Sequence, residues 1–210
     1  MSTEPRSIIY IDGFNLYYGA VRGGPHRWLN IQRYFTLLRQ SDQIQRIYYF
    51  TARISGQNSA NQEAYLRALG TLDLVEIRLG RFKSKTVRCT MPNCQHSGDR
   101  WFTVLEEKQT DVAIGIQMLE DAQDNACDRF VIVSGDSDLL PAVNAVKKRF
   151  PRKEIIVYIP ARDKYRGAAA EMRNAADKDK TLPQVLLHKA QFPARLADGR
   201  GGWISKPSSW

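Results

Sequence analysis

The segment Ser7-Ile8-Ile9-Tyr10-Ile11-Asp12-Gly13 is a continuous apolar run that ends in an acidic residue and a glycine. Such a run is typical of a strand that is buried on both faces, as in a parallel sheet. Similar runs follow along the chain, at residues 44–51, 72–79, 130–133 and 155–159, with a shorter one at 185–187. The sequence therefore predicts a sheet of about five to six strands.

Segments with helical spacing of apolar residues separate these runs, at residues 29–39, 58–70, 110–122, 137–150 and 168–176. In the third of them, Val112, Ile116 and Leu119 fall on one face. Strands that alternate with helices predict an α/β domain, and right-handed crossovers make its mostly parallel sheet doubly wound. We expect this domain to span residues 1–190, with a basic, cysteine-bearing irregular loop inserted at 80–102. Residues 191–210 are rich in Gly, Pro and Ser, which predicts a loose tail.

The chain of 210 residues carries a formal charge of +9. Residues 145–210 hold 15 Lys and Arg against 6 Asp and Glu, and this difference accounts for the whole excess. A basic surface favours a polyanionic partner, most often nucleic acid, although solubility alone is an alternative explanation. An oligomer is compatible with the sequence.

No apolar run approaches the roughly 18 residues that a membrane helix needs, and the first residues lack the pattern of a signal peptide. The chain has three cysteines, an odd number that argues against a disulfide framework. These features predict a cytoplasmic protein without membrane contact.

Carboxylates gather at the ends of predicted strands. Asp12 closes the first strand, Asp136 and Asp138 follow the strand at 130–133, and Asp111 starts the helix before it. Because neighbouring carboxylates repel one another, such a group favours a hard divalent cation, Mg²⁺ or Mn²⁺. Such an ion suits phosphodiester hydrolysis. Helix capping is the alternative role for each of these residues taken alone.

Three motifs resemble the NYN domain family, in the LabA-like branch of the PIN-like nuclease superfamily. They are Tyr10-Ile11-Asp12-Gly13-Phe14-Asn15-Leu16, Glu107-Lys108-Gln109-Thr110-Asp111-Val112 and Val133-Ser134-Gly135-Asp136-Ser137-Asp138-Leu139, and the resemblance covers residues 6–160. It implies a PIN-like fold and a metal-dependent endoribonuclease acting on RNA. It also implies that Asp12, Asp111, Asp136 and Asp138 are the catalytic, metal-binding acids, with Asn15 and Ser134 as supporting polar residues.

The resemblance leaves two other functions open. Some similar chains are hydroxylases (monooxygenases) of pyridine compounds in nicotine-type catabolism, a reaction that needs NADH and can involve a flavin. The sequence contains neither G-x-G-x-x-G nor G-x-x-x-x-G-K, so it has no familiar phosphate cradle, and this favours the nuclease. The other alternative is a nucleic-acid-binding regulatory module with a silent acidic site.

The loop at 80–102 contains Cys89, Cys94 and His96 in a C-x₄-C-x-H pattern. Zn²⁺ in structural sites takes four N or S ligands, and these three supply an incomplete set, so a zinc site competes with a basic loop that merely contains thiols. The basic residues Arg81, Lys83 and Lys85 predict contact with a phosphate-bearing substrate. We expect the loop to act as a flap over the acidic site.

Overall fold

We describe a computed structural model of the chain, over residues 4–160 and 169–210. Within these residues no helix is long and apolar enough to cross a membrane. The strands are β1 (Arg6–Asp12), β2 (Gln43–Thr51), β3 (Val75–Leu79), β4 (Arg81–Arg88), β5 (Trp101–Lys108), β6 (Arg129–Val133), β7 (Glu154–Ile159), β8 (Lys178–Thr181), β9 (Arg195–Ala197) and β10 (Trp203–Ser205). The helices are α1 (Gly13–Leu16), α2 (Ile31–Leu38), α3 (Ser59–Leu69), α4 (Thr110–Gln123), α5 (Leu140–Arg149), α6 (Ala170–Ala175) and α7 (Gln184–Lys189). A π-helical turn over Tyr17–Val21 continues α1, and a 3₁₀ turn over Ser137–Leu139 precedes α5.

The central sheet has six strands in the order β3-β2-β1-β6-β7-β8, and all its pairings are parallel. This confirms the predicted doubly wound α/β fold. The chain builds outward from β1 to one edge and then from β6 to the other, so the strand order switches between β1 and β6. In sheets of this kind, ligands bind outside the carboxyl ends of the strands at that switch point.

Helices cover both faces of the sheet, and each face has its own apolar core. Alternate residues of β1 point to opposite faces, so Ile9 and Ile11 belong to the core under α2, α3 and α7. Ile8 and Tyr10 belong to the other core, under α4, α5 and α6. Burial on both faces explains why β1 reads as an unbroken apolar run.

The sequence predicted an irregular loop at residues 80–102, and this prediction was wrong for most of the segment. β4 and β5 pair antiparallel, from Arg81 opposite Lys108 to Arg88 opposite Trp101, and form a two-stranded hairpin apart from the central sheet. Most side chains of these strands are exposed, so they lack the apolar run by which the other strands were found. The irregular part is the hairpin tip at residues 89–100, which carries Cys89, Cys94 and His96.

The tail at 191–210 is not loose. β9 and β10 form a second small hairpin, whose Ile204 is 2% exposed in the core. The ring of Trp210 lies 5.9 Å from that of Tyr65, and the indole of Trp28 donates a hydrogen bond to the carbonyl of Pro193 (2.8 Å). A few well-placed apolar side chains anchor a segment whose Gly and Pro content alone predicted disorder.

Two further predictions about local structure were wrong. Residues 185–187 belong to helix α7, and the sixth strand is β8, a short charged strand at the sheet edge, where charge protects against unwanted pairing. In α4 the buried face contains Ile114, Met118 and Ala122, whereas Val112 and Ile116 are exposed. The helix predicted at 168–176 is α6, and residue 168 lies outside the described residues.

The docked tail leads to a stability prediction. Ile204→Ala should lower the free energy of unfolding by about 2–5 kcal/mol, because it removes buried methyl groups and leaves a cavity. Trp203→Ala, one residue away and exposed, should cost about 1 kcal/mol or less. Urea denaturation followed by circular dichroism measures both. Equal effects of the two substitutions would contradict the docking.

Candidate active site

Asp12 is the last residue of β1 and caps the N-terminus of α1. Its Oδ1 accepts a hydrogen bond from the backbone N–H of Asn15 (2.9 Å), and its Oδ2 accepts one from the hydroxyl of Ser134 (3.1 Å). The side chain is nearly buried. Burial raises the pKa of Asp12, and these hydrogen bonds partly offset the rise.

The end of β6 lies directly beside the end of β1. Ile11 pairs with Val133, so Ser134 follows at the level of Asp12. The hydroxyl of Ser134 also accepts a hydrogen bond from the backbone N–H of Asp136 (3.1 Å). The side-chain oxygen of Asn15 accepts one from the N–H of Gly135 (3.2 Å). Asn15 and Ser134 thus tie the two strand ends together, and their supporting role in function stays a prediction.

Asp136 caps the 3₁₀ turn that follows β6, and its Oδ1 accepts a hydrogen bond from the backbone N–H of Asp138 (3.0 Å). Asp138 itself is exposed and does not line the pocket formed by the other acids. The structure therefore brings Asp12, Asp111 and Asp136 to one pocket and leaves Asp138 at its margin.

Asp111 and Glu107 come from the junction between β5 and α4. The hydroxyl of Thr110 donates to Oε1 of Glu107 (2.5 Å). Burial raises the pKa of Glu107 to about 7, and the charges of Asp12 and Asp111 add to the rise. Burial also raises the pKa of Asp111 to about 6, and the charges of Asp136, Asp12 and Asp138 contribute. The charged form of each carboxylate is thus destabilised by burial first and by the neighbouring acids second.

These side chains line an open pocket of about 270 Å³, which we call the acidic pocket. Its walls are Asp12, Phe14, Asn15, Tyr18, Gly19, Glu107, Asp111 and Asp136. Glu107 was not among the predicted site residues. Glu107 is the first residue of the second motif quoted above, and its place there was the signal that could have indicated it.

A second cavity, of about 370 Å³, lies on the other side of α1 and the π-helical turn. We call it the aromatic cavity, because Phe14, Tyr17, Tyr18, Tyr49, Tyr65 and Trp210 are among its walls. Phe14 and Tyr18 line the acidic pocket as well, so the two spaces share a wall.

The hairpin begins beside the acidic pocket, but its predicted basic contacts face away from it. Phe82 meets the edge of Phe14 (5.6 Å between ring centroids) and stands opposite Glu107, which lines the pocket. Because side chains alternate along a strand, Arg81, Lys83 and Lys85 project from the other face of the hairpin. Their contact with a substrate stays a prediction, and any such contact would lie on a surface outside the acidic pocket.

The family model of the NYN domain matches residues 6–182, more than half of the chain. The chain belongs to the NYN domain family. The match confirms the resemblance found in the sequence, and placement in the LabA-like branch stays a prediction.

Two relatives of this NYN domain are informative. The chain is 30% identical, over its whole length and 77% of the relative, to a protein named 6-hydroxy-3-succinoylpyridine 3-monooxygenase HspA, from Pseudomonas putida. It also resembles the crystal structure of a protein of unknown function, VPA0982, from Vibrio parahaemolyticus, with a TM-score of 0.54 and 18% identity. That likeness covers 87% of this chain and 96% of the other, and at this identity it supports the fold alone.

The donor set of this NYN domain suits a hard divalent cation, since all its members are carboxylates. Among the described residues, no salt bridge joins Asp12, Glu107, Asp111 or Asp136 to a Lys or Arg, so these charges lack a cationic partner there. Within residues 4–160 and 169–210, however, no three Asp, Glu, His or Cys side chains form a group that is ready to hold a metal. The acids are neighbours in one pocket and not a formed coordination shell.

The same observation applies to the hairpin tip. Cys89 and Cys94 are free thiols, and hydrogen bonds from Met91 and Cys94 lower the pKa of Cys89. They do not form a three-residue group with His96 in the described structure. A zinc site there stays a prediction without geometric support.

Burial of Asp111 and its repulsion by the other carboxylates predict a stabilising substitution. Asp111→Asn should raise the free energy of unfolding of the metal-free protein by up to about 1 kcal/mol at pH 8, once solvent screening is allowed for. Because folding raises the pKa of Asp111 from 3.8 to about 6, the wild-type chain loses stability as pH rises through that interval. The gain should therefore be present above about pH 6 and vanish near pH 4.

Urea denaturation in EDTA at a series of pH values measures this gain. Asp73→Asn is the matched control, since it removes one negative charge from an exposed position before β3. A destabilised Asp111→Asn protein at pH 8 would show that the carboxylate is held by a favourable partner.

Proposed function

We propose that this NYN domain hydrolyses phosphodiester bonds in RNA, using Mg²⁺ or Mn²⁺ held by Asp12, Asp111 and Asp136. The observation that carries the proposal is the convergence of these acids and Glu107 at the carboxyl ends of β1 and β6. An acidic pocket repels a polyanion, so an RNA phosphate can approach only when a cation reduces that charge. A bound divalent cation would activate water and offset the charge that develops on the phosphate.

Each residue has a distinct part in this proposal. Asn15 and Ser134 hold Asp12 in one orientation, so that this carboxylate needs little reordering to bind a cation. Asp136 is fixed by the N–H of Asp138, which gives Asp138 an outer, positioning role. Glu107 adds negative charge on the hairpin side of the pocket.

The basic part of the chain would supply affinity. We propose that residues 145–210, together with Arg81, Lys83 and Lys85, contact RNA phosphates outside the acidic pocket. Affinity built on such contacts falls steeply with salt. A reducing, cytoplasmic setting belongs to the same proposal, and the three cysteines are free in the structure.

The test is cleavage of a labelled single-stranded RNA with Mn²⁺, with EDTA as the blank. Asp136→Asn should lower the rate by at least about 100-fold, since it removes one proposed ligand and the stabilisation of charge that the cation provides. Asp138→Asn should have a much smaller effect. Asp124→Asn, at the far end of α4, is the control and should cleave like wild type.

Cleavage by Asp136→Asn at the wild-type rate would overturn the assignment. Circular dichroism of each variant shows whether the fold is intact. Titration with Mn²⁺ then separates loss of the metal from loss of a later step.

A second candidate is hydroxylation of a pyridine ring with NADH and O₂. It is favoured by the 30% identity to 6-hydroxy-3-succinoylpyridine 3-monooxygenase over the whole chain, and by an aromatic cavity beside the acidic pocket. NADH oxidation that depends on 6-hydroxy-3-succinoylpyridine, measured on the same preparation with and without added flavin, tests it. If NADH is oxidised only when 6-hydroxy-3-succinoylpyridine is present, and RNA is not cleaved, hydroxylation replaces the first proposal.

A further inference from the structure

The aromatic cavity is a small space whose walls include several flat aromatic rings. Tyr49 and Tyr65 form part of its lining, with ring centroids 6.1 Å apart and planes nearly perpendicular. The ring of Trp210 stands 5.9 Å from Tyr65. A volume of about 370 Å³ is at the lower end of the range for small-molecule sites, so the cavity suits one planar ring system with a short substituent.

One end of the cavity is cationic. Arg22 and Arg27 both line it, and the guanidinium of Arg22 lies over the ring of Tyr18 (5.2 Å). The Nε atom of Arg27 is buried and has no hydrogen-bond partner among residues 4–160 and 169–210. A buried donor left without an acceptor is costly, and a guanidinium recognises carboxylate and phosphate oxygens especially well. An anionic group at this end would satisfy the Arg27 side chain.

The polar walls of the cavity are fixed. Gln62 donates to the carbonyl of Ala52 (2.9 Å) and accepts from the N–H of Ile54 (2.8 Å), so its amide is already used. A Cβ on Gly13 would come within 2.8 Å of the Tyr49 ring, so this glycine lets α1 pack directly on the tyrosine. The cavity is therefore held in place by hydrogen bonds and close backbone packing.

The shared wall links the cavity to the acidic pocket. Phe14 and Tyr18 line both spaces, and their rings stack at 6.2 Å with an angle of 19° between planes. A ring in the aromatic cavity would therefore lie against the same two side chains that border the carboxylates of the acidic pocket.

From these observations we infer that the aromatic cavity binds a planar heteroaromatic ring that carries an anionic group. The ring lies among the tyrosines, and the carboxylate or phosphate meets Arg27 and Arg22. A nucleotide of RNA and a free aromatic acid share this chemistry. The inference goes beyond the proposed function, because it concerns recognition and holds whichever reaction the acidic pocket carries out.

Calorimetric titration in EDTA tests the inference without metal or catalysis. Three probes, UMP, AMP and 6-hydroxynicotinate, have both the heteroaromatic ring and the anionic group. Uridine has only the ring, and inorganic phosphate has only the anion. At least one probe with both features should bind at least 10-fold more tightly than uridine and phosphate. Binding of UMP or AMP identifies the ring as a base, and binding of 6-hydroxynicotinate alone identifies it as a free aromatic acid.

Arg27→Gln should weaken that binding at least 10-fold, and Arg22→Gln, at an exposed position, gives a second variant with little risk to folding. Arg33→Gln, an exposed arginine on α2, is the matched control and should bind like wild type. Unchanged binding by both Arg27→Gln and Arg22→Gln would overturn the inference. So would the absence of binding by all the probes that have both features, or phosphate binding as tight as theirs.

Asp136→Asn should bind these probes like wild type, since the aromatic cavity does not include that residue. If the protein binds the probes but cleaves no RNA, the inference stands and the proposed function fails. If it cleaves RNA but binds none of the probes, the proposed function stands and the inference fails.

Discussion

The parallel pairing of β1 with β6 is the constraint on which the site depends. It places a carboxylate, Asp12, at the end of a strand that is buried on both faces, next to Ser134 at the end of its neighbour. Two strands that pair in parallel end at the same edge of the sheet, so polar residues that follow them meet without any further folding requirement. The apolar runs behind them are buried in two cores, and that burial stabilises an arrangement whose polar end is unfavourable by itself.

The acidic pocket is the part of the fold where stability and function conflict. Another buried acid has cationic partners: Arg39 and Arg129 both bind Asp42, whose side chain is fully buried. Around Asp12 the neighbours are other acids, and burial together with their charges raises the pKa values of Glu107 and Asp111. Functional sites commonly retain such unfavourable electrostatics because binding of the ligand relieves it.

The sequence was sufficient for those parts of the fold that depend on local burial. Apolar runs located the strands that form the middle of the sheet, and residue order alone placed Asp12 and Asp136 together. The sequence was insufficient where structure comes from pairing between exposed strands or from a few isolated buried side chains. The hairpin of β4 and β5 lacks a buried run, and the tail docks through Ile204 and Trp210 among Gly and Pro residues.

The candidate site shows the same division. Asp12, Asn15, Ser134 and Asp136 lie in motifs adjacent to strong strands, so their proximity followed from the topology. Glu107 and the aromatic cavity depend on tertiary contacts between distant segments. Tyr49 and Tyr65 lie in a predicted strand and a predicted helix, and Trp210 lies in the tail that was predicted to be loose. In α4, both faces of the helix contain apolar residues, so spacing did not determine which face is buried.

The acidic pocket combines residues from the central sheet with Glu107, which comes from a hairpin that is held less firmly. Asp12 and Asp136 are attached to strands at the centre of the domain. Glu107 belongs to a two-stranded ribbon, in which β4 and β5 pair with no other strand of the described residues. Isolated hairpins are marginally stable, and regions with few buried contacts open locally at much lower free energy than the whole domain. Fraying that reaches the base of this ribbon would withdraw one carboxylate and widen the mouth of the pocket while the sheet stays folded. Hydrogen exchange in β4 and β5 would then proceed far faster than in β1 and β6.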